Sequence, residues 1–133
     1  MKNLFYILTV MSLLLTSGCK TESVVHLADE SKEFISTPFT FNDIQIEGDT
    51  LIAHVQYSGG CGDHKFEIKE NGFLMKSLPP KQPIQIIHFT SGDKCRALIN
   101  EQLKYDISCF RGTPHGTTVL LLKNWTTDVI YSY

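Results

Sequence analysis

Two cysteines and two histidines hold most of the chemistry this sequence offers. Cys61 and His64 lie within Tyr57-Ser58-Gly59-Gly60-Cys61-Gly62-Asp63-His64-Lys65-Phe66, where three glycines, one thiol and one imidazole share six residues. His88 and Cys95 follow further along. Two thiolates and two imidazoles make a tetrahedral zinc set, and copper accepts the same donors. Cys61, His64, His88 and Cys95 are therefore the candidate metal ligands. A variant leaves the cysteines aside and gathers His64 and His88 with Asp63 or Asp93. Cys61 beside His64 also forms a candidate thiolate–imidazole pair, the centre of a small thiol enzyme. Ser58-Gly59-Gly60 departs from the Gly-x-Ser-x-Gly nucleophile elbow. The glycines could line an anion-binding nest, but no Lys or following helix completes a phosphate loop. No cofactor is expected.

The compartment decides between these chemistries, and the N-terminus bears on it. Met1-Lys2 gives a short positive start, and Leu4 to Leu15 is a mostly apolar run of twelve residues. That is too short to span a bilayer as a helix and suits a signal-peptide core. It ends in Leu15-Thr16-Ser17-Gly18-Cys19. Small residues before a cysteine, directly after an apolar core, resemble the lipobox of bacterial lipoproteins; Thr16 stands where the strongest lipoboxes carry Leu. The resemblance implies cleavage before Cys19, which then carries a thioether-linked diacylglycerol and an acylated amino group. Each buried methylene contributes about 0.8 kcal/mol, so several acyl chains hold a protein durably. The alternative is an ordinary secretory signal cleaved nearby. Both place the domain outside the cytoplasm.

Without residues 1–18 the chain keeps 115 residues, enough for one domain and too few for two. Losing Lys2 with the leader leaves 11 basic against 14 acidic residues, a formal charge of −3. No basic run interrupts this, so nucleic-acid binding is not expected.

With Cys19 committed to lipid, Cys61, Cys95 and Cys109 remain where disulfides persist. Cys61 and Cys95 each sit at a turn flanking a strand, and a bridge between them closes a loop of about 34 residues, worth roughly 3–4 kcal/mol on the chain-entropy model. Cys109 is then an inward free thiol. Pairing of Cys95 with Cys109 is the competing bridge. Beside a disulfide, the glycines serve positive φ or close backbone approach.

The elements that must position these residues read as strands. Residues 19–37 form a lipidated, polar tether, with Phe34-Ile35 able to touch the domain; a helical turn over residues 27–34 is a further option. From Pro38 the pattern alternates. Phe39, Phe41 and Ile44–Ile46 run to Gly48-Asp49, a hairpin signal. Leu51, Ala53, Val55 and Tyr57 form the core face of the next strand, while Ile52 shows that the other face is also partly covered. Lys65, Glu67 and Lys69 face water, which places His64, Phe66 and Ile68 inward. Pro79-Pro80 and Pro83 impose an extended loop. In Ile84–Thr90 the parity is ambiguous: Ile84, Ile86 and His88 share one face, Ile87 and Phe89 the other. Cys95 to Gln102 is either a helical turn or an irregular strand. Leu103, Tyr105, Ile107 and Cys109 share an inward parity, and Thr118–Lys123 and Val129–Tyr133 are strands. Trp125, Tyr131 and Tyr133 plug the core or mark a partner surface. About seven short strands over residues 38–133 predict an all-β, two-sheet antiparallel sandwich, with a small barrel as the rival.

The run Tyr57–Phe66, with Asp93-x-Cys95-Arg96-Ala97 downstream, resembles a family of uncharacterised bacterial lipoproteins and secreted proteins that carry a Gly-Gly-Cys-Gly-x-His-x-Phe loop and a second cysteine. There is also a distant likeness to the sandwich half of NigD-like lipoproteins. The resemblance covers most of residues 38–133 and implies location and fold, with no activity attached. The sequence therefore predicts a lipoprotein anchored to a membrane of the bacterial cell envelope, with a non-catalytic structural or binding domain and an unidentified envelope partner. A periplasmic metal-binding protein and a thiol enzyme are the alternatives.

Overall fold

The computed structural model describes residues 33–133, so the expected signal peptide, Cys19 and most of the tether lie outside the described residues. Eight strands are present among the described residues: β1 (Ile35–Ser36), β2 (Thr40–Glu47), β3 (Thr50–Gly59), β4 (Asp63–Glu70), β5 (Lys81–Ser91), β6 (Ala97–Asp106), β7 (Thr117–Leu122) and β8 (Val129–Ser132). They form two sheets. One is three-stranded, in the order β2-β3-β6; the other is five-stranded, with β4 on one edge of β5 and β1 and β7-β8 on the other. The architecture is the expected sandwich, and neither sheet closes into a barrel. One pairing departs from the all-antiparallel expectation. β7 runs parallel to β5, because the chain crosses to the other sheet and back between them.

Local chemistry accounts for most elements. Glu47 pairs with Thr50, leaving Gly48-Asp49 as a two-residue turn with Gly48 at φ +57°, a conformation that only Gly takes without strain. Leu51, Ala53, Val55 and Tyr57 of β3 are buried as alternation requires, and Ile52 is buried on the opposite face between Gln45 and Lys104. The ambiguous parity of β5 is settled by β4. His64 lies opposite Thr90, Phe66 opposite His88 and Ile68 opposite Ile86, and directly opposed side chains share a face. The inward set of β5 is therefore Ile84, Ile86, His88 and Thr90. Tyr131 and Leu120 from β8 and β7 fill the centre, with Trp125, Tyr133, Phe39 and Phe41 packed around them. Trp125 and the two tyrosines are thus core elements.

Ile35, expected to be able to touch the domain, does so: Ile35–Ser36 pairs with Thr90 and Phe89 as β1. Three expectations are corrected. No helical turn opens the domain at residues 33–34; the rest of residues 27–34 lies outside the described residues. Residues 97–106 form one regular strand, paired along its whole length with β3. Cys109 is exposed. The period-two pattern stops at Asp106, whose carboxylate accepts the Ser108 N–H at 2.8 Å, and a 3-10 turn over Ser108–Phe110 follows. That turn carries Phe110 inward in place of Cys109.

The chain passes between sheets at both ends of β3. At its C-terminal end, β3 crosses to β4 through residues 60–62, and β5 crosses back to β6 through residues 92–96. At its N-terminal end, β6 crosses to β7 through residues 107–116, beside the Gly48-Asp49 turn. Each end is tied by a carboxylate.

Candidate functional site

The glycine-rich loop and the residue 92–96 crossing lie side by side, joined by a Cys61–Cys95 disulfide with Cα atoms 5.6 Å apart. The competing Cys95–Cys109 bridge is absent, and Cys109 is the free cysteine. Between the two crossings sits the Asp93 carboxylate, only 3% exposed. Its Oδ2 accepts N–H bonds from Gly60 at 2.8 Å and Cys61 at 3.3 Å, and its Oδ1 accepts one from Cys95 at 2.7 Å. His64 Nε2 completes the set, 2.7 Å from Oδ2. The nest formed by the loop is therefore filled by an anion of the same chain. Burial pushes the Asp93 carboxyl up, but the amides of Cys95 and Cys61, the His64 ring and the Gly62 amide outweigh it and hold it at about 2.

The glycines serve packing more than flexibility. A Cβ on Gly59 would stand 2.5–2.7 Å from the His64 ring and Asp93 Oδ2, and one on Gly62 would stand 2.7 Å from Asp93 Cβ. Gly60, at φ +119°, is the one that needs a glycine's backbone freedom.

From Asp93 the hydrogen bonds run inward as a chain. His64 Nδ1 lies 2.9 Å from His88 Nε2, and His88 Nδ1 lies 2.9 Å from Thr37 Oγ1. An ionised carboxylate only accepts, so His64 donates to it from Nε2. His88 is 1% exposed, and its own C=O accepts the Thr37 N–H at 3.0 Å. Burial first, and then the charge of His64, lower its proton affinity, against opposing contributions from the Pro38 backbone and Glu101. Aromatic rings enclose the pair. Phe66 stacks on His88 at 4.3 Å and 9°, and Tyr57 lies 4.8 Å from His64 and 4.6 Å from His88 between centroids. The Tyr57 hydroxyl donates to Glu101 Oε2 at 2.8 Å, and burial followed by Glu101 raises it to about 12.

Of the four proposed metal ligands, Cys61 and Cys95 are bonded to each other and both ring nitrogens of His88 are engaged. A sulfur from each of Cys61 and Cys95 and an Asp93 oxygen lie within 4.8 Å of one another. The sulfurs are not thiolates, however, and both carboxylate oxygens already accept hydrogen bonds. Nor is there a Cys61 thiolate for His64 to activate. The alternative grouping of His64, His88 and Asp93 is brought together, but as a line of hydrogen bonds rather than donors converging on a point.

Sequence reasoning names Asp93 only as an alternative metal ligand beside His64 and His88, and does not name Thr37 as part of the site. For Asp93 a signal existed. Asp93-x-Cys95 is an Asx turn, in which the carboxylate caps the N–H two residues on. For Thr37 there was none, because its partner His88 is 51 residues away. The chain matches no protein-family model, no curated protein and no solved structure.

Proposed function

We propose that this chain is a lipid-anchored protein of the bacterial cell envelope, with Cys19 as its acylated residue and a sandwich domain that has a non-catalytic structural or binding role. The Cys61–Cys95 disulfide carries the reading. Such bridges persist in oxidising compartments outside the cytoplasm. It also removes both thiols from nucleophilic or metal-binding duty and turns the polar groups of the loop onto Asp93. The site is then a crosslinked corner holding the two sheet crossings in register. The resemblance of residues 15–19 to a lipobox and of the glycine loop to lipoprotein sequences supports the location.

The anchor is tested by metabolic labelling with a radioactive fatty acid. The native chain should take up label and Cys19→Ala should not; label retained by the variant refutes the anchor. The domain is tested by non-reducing thiol labelling with metal analysis of the purified mature protein. One labelled thiol, Cys109, and no bound metal is the expected result. Three labelled thiols with stoichiometric zinc would replace this reading with the metal-binding one.

A further inference from the structure

One surface feature lies far from the disulfide corner. The loop between β4 and β5 presents Phe73, Leu74, Met75 and Leu78, with Phe73 96% and Leu78 100% exposed. Of the other large exposed apolar residues among the described ones, Leu98 and Ile130 stand alone and Phe34 and Ile35 form an adjacent pair; single exposed apolar residues are ordinary. Four within six residues are a patch.

The loop is also held rigidly. Met75 and Lys81 exchange backbone hydrogen bonds at 2.8 and 3.0 Å, the Ser77 N–H donates to Met75 O at 2.9 Å, and the Ser77 hydroxyl donates to Pro79 O at 2.7 Å. Asn71 N–H bonds to Pro83 O, and Val119 N–H to Pro80 O. Pro79 and Pro80 restrict φ further. A flexible loop would fold such side chains against its own protein; this scaffold keeps them in water.

We infer that this loop docks on a phospholipid bilayer, with Phe73, Met75 and Leu78 entering the interface and Lys76 meeting anionic headgroups. This deepens the proposed envelope anchoring and rests on it. Charge selects the occupant. From Asn71 to Pro80 the only charged residue is Lys76. Lys69 and Lys81 flank the segment with Glu70 between them, and Lys81 is paired with Asp128 at 4.0 Å, so the tip itself carries Lys76 as its free charge among the described residues. The chain as a whole is acidic, at −2. A local basic, apolar tip on an acidic protein complements an anionic lipid surface. The chain outside the structure also permits it. Residues 20–32, beyond an acylated Cys19, extend to roughly 43–47 Å at full stretch. β1 pairs with Thr90 and Phe89 near one end of β5, and the loop joins the other end at Lys81. Eleven strand residues span only about 33 Å. Anchor and loop can therefore reach the same leaflet, with β5 lying along it. The acyl chains retain the protein, and the loop adds a second contact with the same surface.

The test uses the mature chain carrying Cys19→Ser, so that no acyl chain contributes; the sheets and core of the described residues do not include position 19. Flotation is measured with vesicles of phosphatidylcholine alone and of phosphatidylcholine with phosphatidylglycerol. The chain should float with the anionic vesicles. Phe73→Ser combined with Leu78→Ser should weaken partition by roughly tenfold or more, since burying even half of each side chain supplies that factor. Lys76→Glu should weaken it several-fold on anionic vesicles only. Both variants leave the core untouched and should melt like the parent, so a folding defect is separable. Equal partition of parent and double variant overturns the proposal. So does an absence of vesicle binding together with loop-dependent dimerisation in sedimentation, which would make a second copy the occupant. Fatty-acid labelling at Cys19 is scored separately, so failure of the anchor and failure of the loop give different results.

Discussion

At the C-terminal end of β3, Asp93 is buried between two crossings that are also joined covalently, and it takes its hydrogen bonds from backbone amides and a histidine. At the N-terminal end, Asp49 is 46% exposed and takes its bonds from side chains. Arg111 Nη2 reaches its two oxygens at 2.6 and 2.7 Å, and the Tyr131 hydroxyl donates to Oδ1. Arg111 Nε also donates to the Tyr131 oxygen at 2.9 Å, and its guanidinium lies 4.9 Å from the Tyr133 ring. Both ends solve one problem, that of holding a chain that leaves one sheet for the other. At the Asp93 end the partners are fixed backbone amides and a short covalent link, so the carboxylate can be buried fully satisfied. At the Asp49 end they are long side chains in partial contact with water, where an ion pair contributes little by itself and the buried Tyr131 ring supplies the packing. The acid and histidine in contact at the Asp93 end are bonded in addition to backbone amides and to a second imidazole.

The largest effect is expected at the disulfide. Cys61→Ser with Cys95→Ser should lower unfolding free energy by about 3–4 kcal/mol in non-reducing urea melts. A loss below about 1 kcal/mol would mean that the amide cage around Asp93 holds this corner without the bridge. Glycine replacement then contrasts the two ends. Gly59→Ala places a methyl within 2.7 Å of His64 and Asp93 and should be destabilising by about 1–3 kcal/mol through overpacking. Gly48→Ala has nothing within 4 Å but sits at φ +57°, so its loss should be about 1 kcal/mol, from backbone strain alone. Equal losses in paired thermal melts would erase the distinction between crowding and conformation.

Tyr131→Phe keeps the buried ring and removes one hydroxyl, and should lower stability by about 1 kcal/mol. The smallest effect is acid sensitivity at the same end. Hydrogen bonds from Tyr131 and then Arg111 hold the Asp49 carboxyl below its ordinary value of 3.8. A carboxyl depressed on folding contributes stability that is complete above the unfolded value and is lost as pH falls through the folded one. Denaturant melts taken from about pH 5 to about pH 3 should therefore show falling stability, less steeply in Tyr131→Phe. An unchanged slope in that variant would show that the hydroxyl does not tune Asp49.

The fold was legible where the determining information is local. The Gly48-Asp49 turn, the inward parity of His64, Phe66 and Ile68, and the core face of β3 all follow from periods and turn chemistry within a few residues. The Cys61–Cys95 pairing was favoured in the sequence because both thiols stand at turns beside strands, while Cys95–Cys109 stayed open as the competing bridge. Cys109 was misplaced because an Asx turn at Asp106 breaks the period that parity reasoning extends. The parallel β5–β7 pairing depends on how the chain returns from the other sheet, which no strand states by itself.

By itself the sequence determined most of the strands, the apolar faces of β3 and β4 and where two thiols stand ready to join. Those properties arise from side-chain volume, hydrophobicity and backbone sterics acting over a turn or two. Only the tertiary structure decided what the chemical residues do. It set His64 between Asp93 and His88, carried Thr37 across 51 residues to His88, and brought Asp49 to Arg111 across 62. Register and sheet crossing choose such partners, and the hydrogen bond that results is too short-ranged to be felt before the strands are in place.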